Sequence, residues 1–228
     1  MSNYRSPADY AITLPSPWND AVVTARSHLY TRVWRTSLDE PGFALIRFGF
    51  TTDSHSLRRL MLALVERLPT QFVPERFGRF DQQVSSRFHR DGAPPASLVL
   101  LGYEPTTVES RLFIADSSVV AAEAGLPLPE FLVRNNPMFP TGEAKYLPYV
   151  TEINLPRGEP VVVAINNSNL PISEVVLNPL GVLHKALIDK PDPGAKRIIN
   201  SVGFTLPGLA VPKTGSDLEH FLSRIDLD

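Results

Sequence analysis

The chain has 228 residues, with 22 proline, 13 glycine and no cysteine, and its 22 basic and 24 acidic side chains give a formal charge of −2. Without thiols there is no disulfide framework, no Cys-ligated zinc or iron–sulfur site and no cysteine nucleophile, so any metal must be held by His and carboxylate. Near-neutral charge without a long basic run disfavours a nucleic-acid partner, and no stretch reaches the ~18 apolar residues of a membrane span. The polar start lacks the apolar core of a secretory signal, so the chain reads as soluble and cytoplasmic.

A first helix is expected between Trp18 and Leu38, with Val22, Val23, Leu29, Val33 and Trp34 on its stripe, Asn19 or Asp20 as cap, and Pro41-Gly42 as its end. Residues 43–50 read as a short strand. Ser56 to Leu68 is an amphipathic helix, with Leu57, Leu60, Met61, Leu64 and Val65 on one face; Arg58, Arg59 and Glu66 fall away from it and read as surface charge. After Pro74 the texture changes to short extended runs at 82–90, 97–103, 111–116, 151–155, 160–166, 181–188 and 197–206, separated by turn residues. A short helix is expected over 117–125, with Asp116 as its cap, and a loop-rich excursion over 127–149 that could form a lid. The tail, 216–225, reads as a helix. These runs predict a mainly β fold of sandwich or barrel type with flanking helices, in one domain over 1–228. Its parts are a helical N-terminal layer at about 17–68, a β core at about 78–206 and a C-terminal helix at about 216–225.

Two of the five histidines have informative neighbours. His89 and Asp91 are two apart near the end of an expected strand, so both project from one face and can reach a common ion. His184 lies in an apolar strand, where an inward imidazole needs a partner. Two imidazoles and one carboxylate form a facial triad that leaves positions open for oxygen and a co-substrate on Fe(II). Arg197, thirteen residues after His184, starts the next strand. Facing a barrel interior it would need an anion, which a dicarboxylate would supply through a bidentate pair. His28, His55 and His220 read as solvated.

The order of His89-Arg90-Asp91, the Gly-x-x-His ending at His184 and the downstream Arg197, together with the run Asn166-Asn167-Ser168, resembles the Fe(II)/2-oxoglutarate-dependent oxygenases of the double-stranded β-helix (jelly-roll or cupin-like) fold. The resemblance spans about 82–204. It implies that His89, Asp91 and His184 ligate iron, that Arg197 anchors the distal carboxylate of 2-oxoglutarate, and that O2 is the second co-substrate. Members of the family often carry a hydroxyl two residues after the arginine; here that residue is Ile199, and Ser201, four away, shares the Arg197 face. The second arginine of the nucleic-acid demethylase branch is replaced by Gly203. Asp91 is intact, unlike the metal carboxylate of the halogenating branch. Oxidation of a C–H bond in a small-molecule substrate is therefore expected. Tyr103 could donate its hydroxyl to the co-substrate, Arg87 could reach a substrate anion, Asn166 could line the pocket, and Lys196 is a second-choice anchor. A cupin-like binding module and a 2-oxoglutarate-independent iron oxidase are the alternatives. A homodimer through the terminal helices is compatible with the sequence.

Overall fold

Strand β7, Val161–Asn166, is buried at every position, which a strand achieves only when both of its faces are covered. In the computed structural model, which describes residues 4–15, 26–66, 68–169, 180–210 and 215–228, that cover comes from a helical layer outside and a second sheet inside. The larger sheet has the order β1-β2-β7-β4-β9-β3, with β1 (Ala11–Leu14), β2 (Phe43–Phe48), β3 (Val73–Asp81), β4 (Ser97–Tyr103) and β9 (Ile198–Thr205). Only its β1–β2 pair is parallel. The smaller antiparallel sheet is β6-β5-β8, from Val150–Asn154, Glu109–Ala115 and Leu183–Lys190.

Alternation along the strands sorts two cores. Ala44, Ile46, Leu98, Leu100, Val162, Ala164, Val202 and Phe204 point outward. They meet Leu29 of α2 (described over 26–32) and Val33 just after it, Leu57, Leu60, Met61 and Leu64 of α3 (Ser54–Val65), and Phe221 of α7 (Gly215–Ser223). Phe43, Leu45, Val99, Leu101, Val163 and Ile199 point inward against Leu112, Ile114 and Ile153 of the smaller sheet. A short α1 (Pro7–Tyr10) leads into β1, and neither was expected from the sequence.

The expected helix at 18–38 is seen from residue 26; Trp18, Val22, Val23 and the caps Asn19 and Asp20 lie outside the described residues. Helix α3 starts where Asp53 accepts a bond from the Ser56 amide at 2.8 Å. Arg58 corrects the surface reading: it is fully buried. Its guanidinium donates to the Arg224 carbonyl at 2.9 Å and meets His55 Nδ1 at 3.0 Å, so α7 and the residues after it cover a side of α3 that looks polar in isolation. His55 is likewise engaged, 2.9 Å from the Leu222 carbonyl, whereas His28 and His220 are exposed.

The excursion at 127–149 is not loop-rich. It folds into α5 (Leu128–Arg134), α6 (Pro140–Tyr146) and a 3-10 turn, Leu147–Tyr149. With α4 (Ser117–Glu123), these short helices bury Val120, Leu128, Phe131 and Tyr146 against Phe88 and Leu183. Helices this short form only through such packing. Among the described residues no helix is long and apolar enough to cross a membrane.

Candidate metal centre

The segment 82–96 was expected to begin with a strand over 82–90, but it pairs with β8 in another way. His89 and His184 exchange both backbone hydrogen bonds, each at 3.0 Å, in an isolated antiparallel bridge. Earlier in the segment, side-chain hydroxyls take over half of the ladder: Ser86 Oγ accepts from the Ala186 amide and Ser85 Oγ from the Ile188 amide, both at 2.9 Å. Directly opposed residues in an antiparallel pair project to the same face. The two imidazole rings accordingly stand 4.2 Å apart, centroid to centroid.

Asp91 completes the group. Its Oδ1 lies 3.5 Å from His89 Nε2 and 3.7 Å from His184 Nε2, and the three donor atoms lie within 4.8 Å of one another. The Asn167 side chain holds Asp91 in place, accepting from its amide at 2.9 Å and donating to its carbonyl at 3.1 Å. Arg90 turns away to the Asn167 carbonyl at 2.6 Å and the Pro94 carbonyl at 2.8 Å. Gly181 brings this loop against β8: a Cβ there would sit 1.8 Å from the Ser168 carbonyl oxygen, so a side chain at 181 would separate the Asn-Asn-Ser run from the approach to His184.

The donor set suits a divalent transition ion. His89 Nδ1 lies 2.7 Å from the Arg87 carbonyl, an acceptor only, so Nδ1 carries the proton and Nε2 is left as the ligand atom. Burial opposes the charged form of His89, but the Asp91 carboxylate and the Arg87 carbonyl hold its pKa above the ordinary value. Burial also opposes ionised Asp91, yet His89, His184 and Arg76 bring its pKa below the usual carboxylate value. His184 is pushed down to about 4 by burial, so it is a neutral ligand at pH 7. Its Nδ1 is buried without a hydrogen-bond partner. The His184 side chain is 7% exposed, against 35% for His89 and 34% for Asp91, so the group opens on the side of the latter two.

The His184 shift has a sign that can be checked in metal-free protein. Its folded pKa lies below the unfolded value of about 6.5, so the unfolded chain binds more protons in between, and stability falls as pH drops from about 6.5 towards 4. Depressed Asp91 acts in the same direction but mainly below about 3.8, and raised His89 acts in the opposite direction mainly above about 6.5, so His184 dominates the interval between. The melting temperature of the metal-free protein should decline over that window, and His184→Gln should remove most of the slope. An equal slope in the variant would refute the assignment.

The triad borders a cavity of about 350 Å³ between the sheets, a volume that suits a small molecule. Tyr103, Ser201, Leu101, Ile199, Gln82 and Arg76 also line it. Arg197 does not. It is 1% exposed and lines a second cavity, of about 340 Å³, whose wall includes the other side of Tyr103. Its guanidinium lies 4.9 Å from the Tyr103 ring centre and donates to Ser110 Oγ at 2.8 Å and Gln82 Oε1 at 2.5 Å, while Nη2 is buried without a partner. Burial raises the Tyr103 pKa, with Arg197 opposing, so the phenol keeps its proton.

Two of the expected substrate residues lie elsewhere. Arg87 points outward to Glu143 of α6 at 3.2 Å. Asn166 is fully buried, donating to the Val33 carbonyl at 2.9 Å and accepting from the Ser168 amide at 3.2 Å. Asp116 caps α4 as expected and also forms a buried ion pair with Arg35. Asn167 and Arg76 were not singled out from the sequence. Asn167 was visible there as the middle of the Asn-Asn-Ser run, whereas Arg76 had no local signal.

No protein-family model and no curated protein matches the chain by sequence. Solved structures of oxygenases are similar to it. A structure of asparagine oxygenase is 13% identical with a TM-score of 0.49, covering 87% of this chain and 93% of that one. Asparagine oxygenase in complex with Fe(II), 2S,3S-3-hydroxyasparagine and succinate is 13% identical with a TM-score of 0.46, covering 86% and 93%. A taurine dioxygenase from Burkholderia xenovorans is 11% identical with a TM-score of 0.45, covering 90% of each chain.

Proposed function

We propose that this chain is an Fe(II)- and 2-oxoglutarate-dependent dioxygenase with a double-stranded β-helix core, which hydroxylates or otherwise oxidises a C–H bond of a small molecule. The observation that carries this reading is the convergence of His89 Nε2, His184 Nε2 and Asp91 Oδ1 at the edge of a cavity of about 350 Å³. This N,N,O donor set matches ferrous iron and leaves its remaining positions to exchangeable ligands. Iron held by these three residues, with 2-oxoglutarate and O2 as co-substrates, would supply the oxidation: one oxygen atom of O2 would go to the substrate C–H and the other to the keto acid, which would leave as succinate and carbon dioxide.

The protein's own part is positioning. The Arg87 carbonyl fixes the His89 tautomer, and Asn167 holds the backbone of Asp91 from both sides. Tyr103, protonated, offers a hydroxyl inside the cavity, and Ser201 lies on the same wall. Arg197 offers a buried guanidinium nitrogen with no partner, which suits the distal carboxylate of 2-oxoglutarate once Gln82 yields its place. The Tyr103 ring between the cavities must turn or share that contact.

The bonds from Arg197 to Gln82 and Ser110 also favour a second reading, a metal-holding module or an iron oxidase that needs no keto acid, because a guanidinium so held requires no co-substrate. Anaerobic Fe(II) titration with and without 2-oxoglutarate separates the two. A weak visible band near ~500 nm that needs both components supports the dioxygenase; its absence supports the alternative. Arg197→Met should raise the half-saturation concentration for 2-oxoglutarate about 10- to 100-fold, the equivalent of one charge-assisted contact. An unchanged value would remove Arg197 from the co-substrate site.

A further inference from the structure

Arg76 lies on β3 at the register shift between Pro74 and Arg76, opposite Gly203 on β9. A Cβ on Gly203 would come 3.3 Å from Arg76 Cβ and 3.8 Å from Cγ and Cδ, so the arginine stem lies over the bare glycine backbone. At its far end, Nη1 would lie 3.4 Å from a Cβ on Gly92, the residue next to Asp91. The side chain, exposed to solvent, thus runs from Gly203 to Gly92 along the wall of the cavity that the triad lines. Among the described residues it makes no hydrogen bond and no ion pair, although its charge reaches Asp91. Other arginines near the two cavities are paired: Arg79 with Glu104, Arg111 with Asp189, and Arg157 with Glu109.

We propose that Arg76 binds an anionic group of the substrate and makes the cavity selective for small molecules that carry a carboxylate. This rests on the function proposed above. Asp91 is the one carboxylate among the residues lining the cavity, and a metal ion would claim it. A dicarboxylate co-substrate is matched by that ion and Arg197. The charge of Arg76 is then left over, a planar donor fork that pairs with no acid among the described residues. Gly203 gives the fork its reach, since any side chain there would lift the stem.

The test uses Zn(II)-loaded protein with 2-oxoglutarate, so that no turnover intervenes, and calorimetric titration of short-chain monocarboxylates, each beside its primary amide. At least one carboxylate should bind about 10- to 100-fold more tightly than its amide, as expected for a charge-assisted contact. Arg76→Met should bring that ratio close to one and leave 2-oxoglutarate affinity unchanged. Gly203→Ala, which displaces the stem without removing the charge, should reduce the ratio. The proposal is overturned if no carboxylate outbinds its amide, if the ratio survives in Arg76→Met, or if that variant loses 2-oxoglutarate instead. Repeating the titrations on metal-free protein separates the two readings. An Arg76-dependent preference there, with no binding of iron or 2-oxoglutarate, removes the oxygenase and keeps the anion site. Normal iron and 2-oxoglutarate binding with no preference removes only the role of Arg76.

Discussion

Asp91→Ala should abolish 2-oxoglutarate turnover and weaken Fe(II) binding by more than about 100-fold, beyond what loss of a ligand's supporting bond costs. The variant is a clean one. Asn167 grips the amide and carbonyl of residue 91, both of which alanine keeps, and the carboxylate is about a third exposed, so the loop should hold its course. Loss of binding would then report lost ligand chemistry and not a collapsed loop. His184→Ala should have an equal effect on iron, because the backbone bridge to His89 also survives it. Iron titration followed by succinate release measures both. Full activity in either variant would end the assignment.

The second large effect concerns stability. Arg35 and Asp116 form a buried bidentate pair, Nη1–Oδ2 at 2.8 Å and Nη2–Oδ1 at 2.6 Å, and Arg35 also donates to the Leu180 carbonyl at 2.8 Å. The pair ties the segment after α2 to the start of α4 and to the approach to β8. Asp116→Asn retains an oxygen to cap α4 but leaves a buried guanidinium uncompensated, which costs about 3–5 kcal/mol. At about 2–4 °C per kcal/mol for a chain of this size, the melting temperature should fall by roughly 10 °C. Arg35→Met combined with Asp116→Leu should recover part of the loss, as buried pairs replaced together often do. A fall within about 1 °C for Asp116→Asn would show the pair to be energetically idle.

The sequence made the apolar strands legible and hid the functional one. The expected strand at 97–103 coincides with β4 and that at 160–166 with β7 to within a residue, because strands covered on both faces read as continuous apolar runs. Strand β3 went unseen: on the side that borders the cavity it carries Arg76, which is exposed, Gly78 and Phe80, so no hydrophobic alternation marks it. Its neighbour, the segment at 82–90, reads as a strand yet meets β8 through a mixture of serine hydroxyls and a few main-chain bonds. Arg58 looked solvated because helix periodicity cannot reveal that α7 and the residues after it lie across α3. The triad itself was readable from His-x-Asp and a distant His, since one cross-strand pair and a two-residue offset bring them together. The place of Arg197 behind Tyr103 depends on side-chain packing between two sheets, which spacing along one strand does not encode.

The serine-for-backbone substitution along β8 has a consequence for motion. Residues 85–89 are joined to the smaller sheet by few main-chain bonds, whereas β4 is laced on both sides by β7 and β9. The segment that carries His89 and Asp91 is therefore held to β8 by three main-chain bonds, with Phe88 buried beneath it and Asn167 gripping Asp91, and should be less protected than the central strands. A bound ion would fasten that segment to β8 through His184. Hydrogen exchange at the His89 and Asp91 amides should accordingly be faster than at Leu100 and slow sharply when metal is added, so that metal binding reads out as local protection of one short segment.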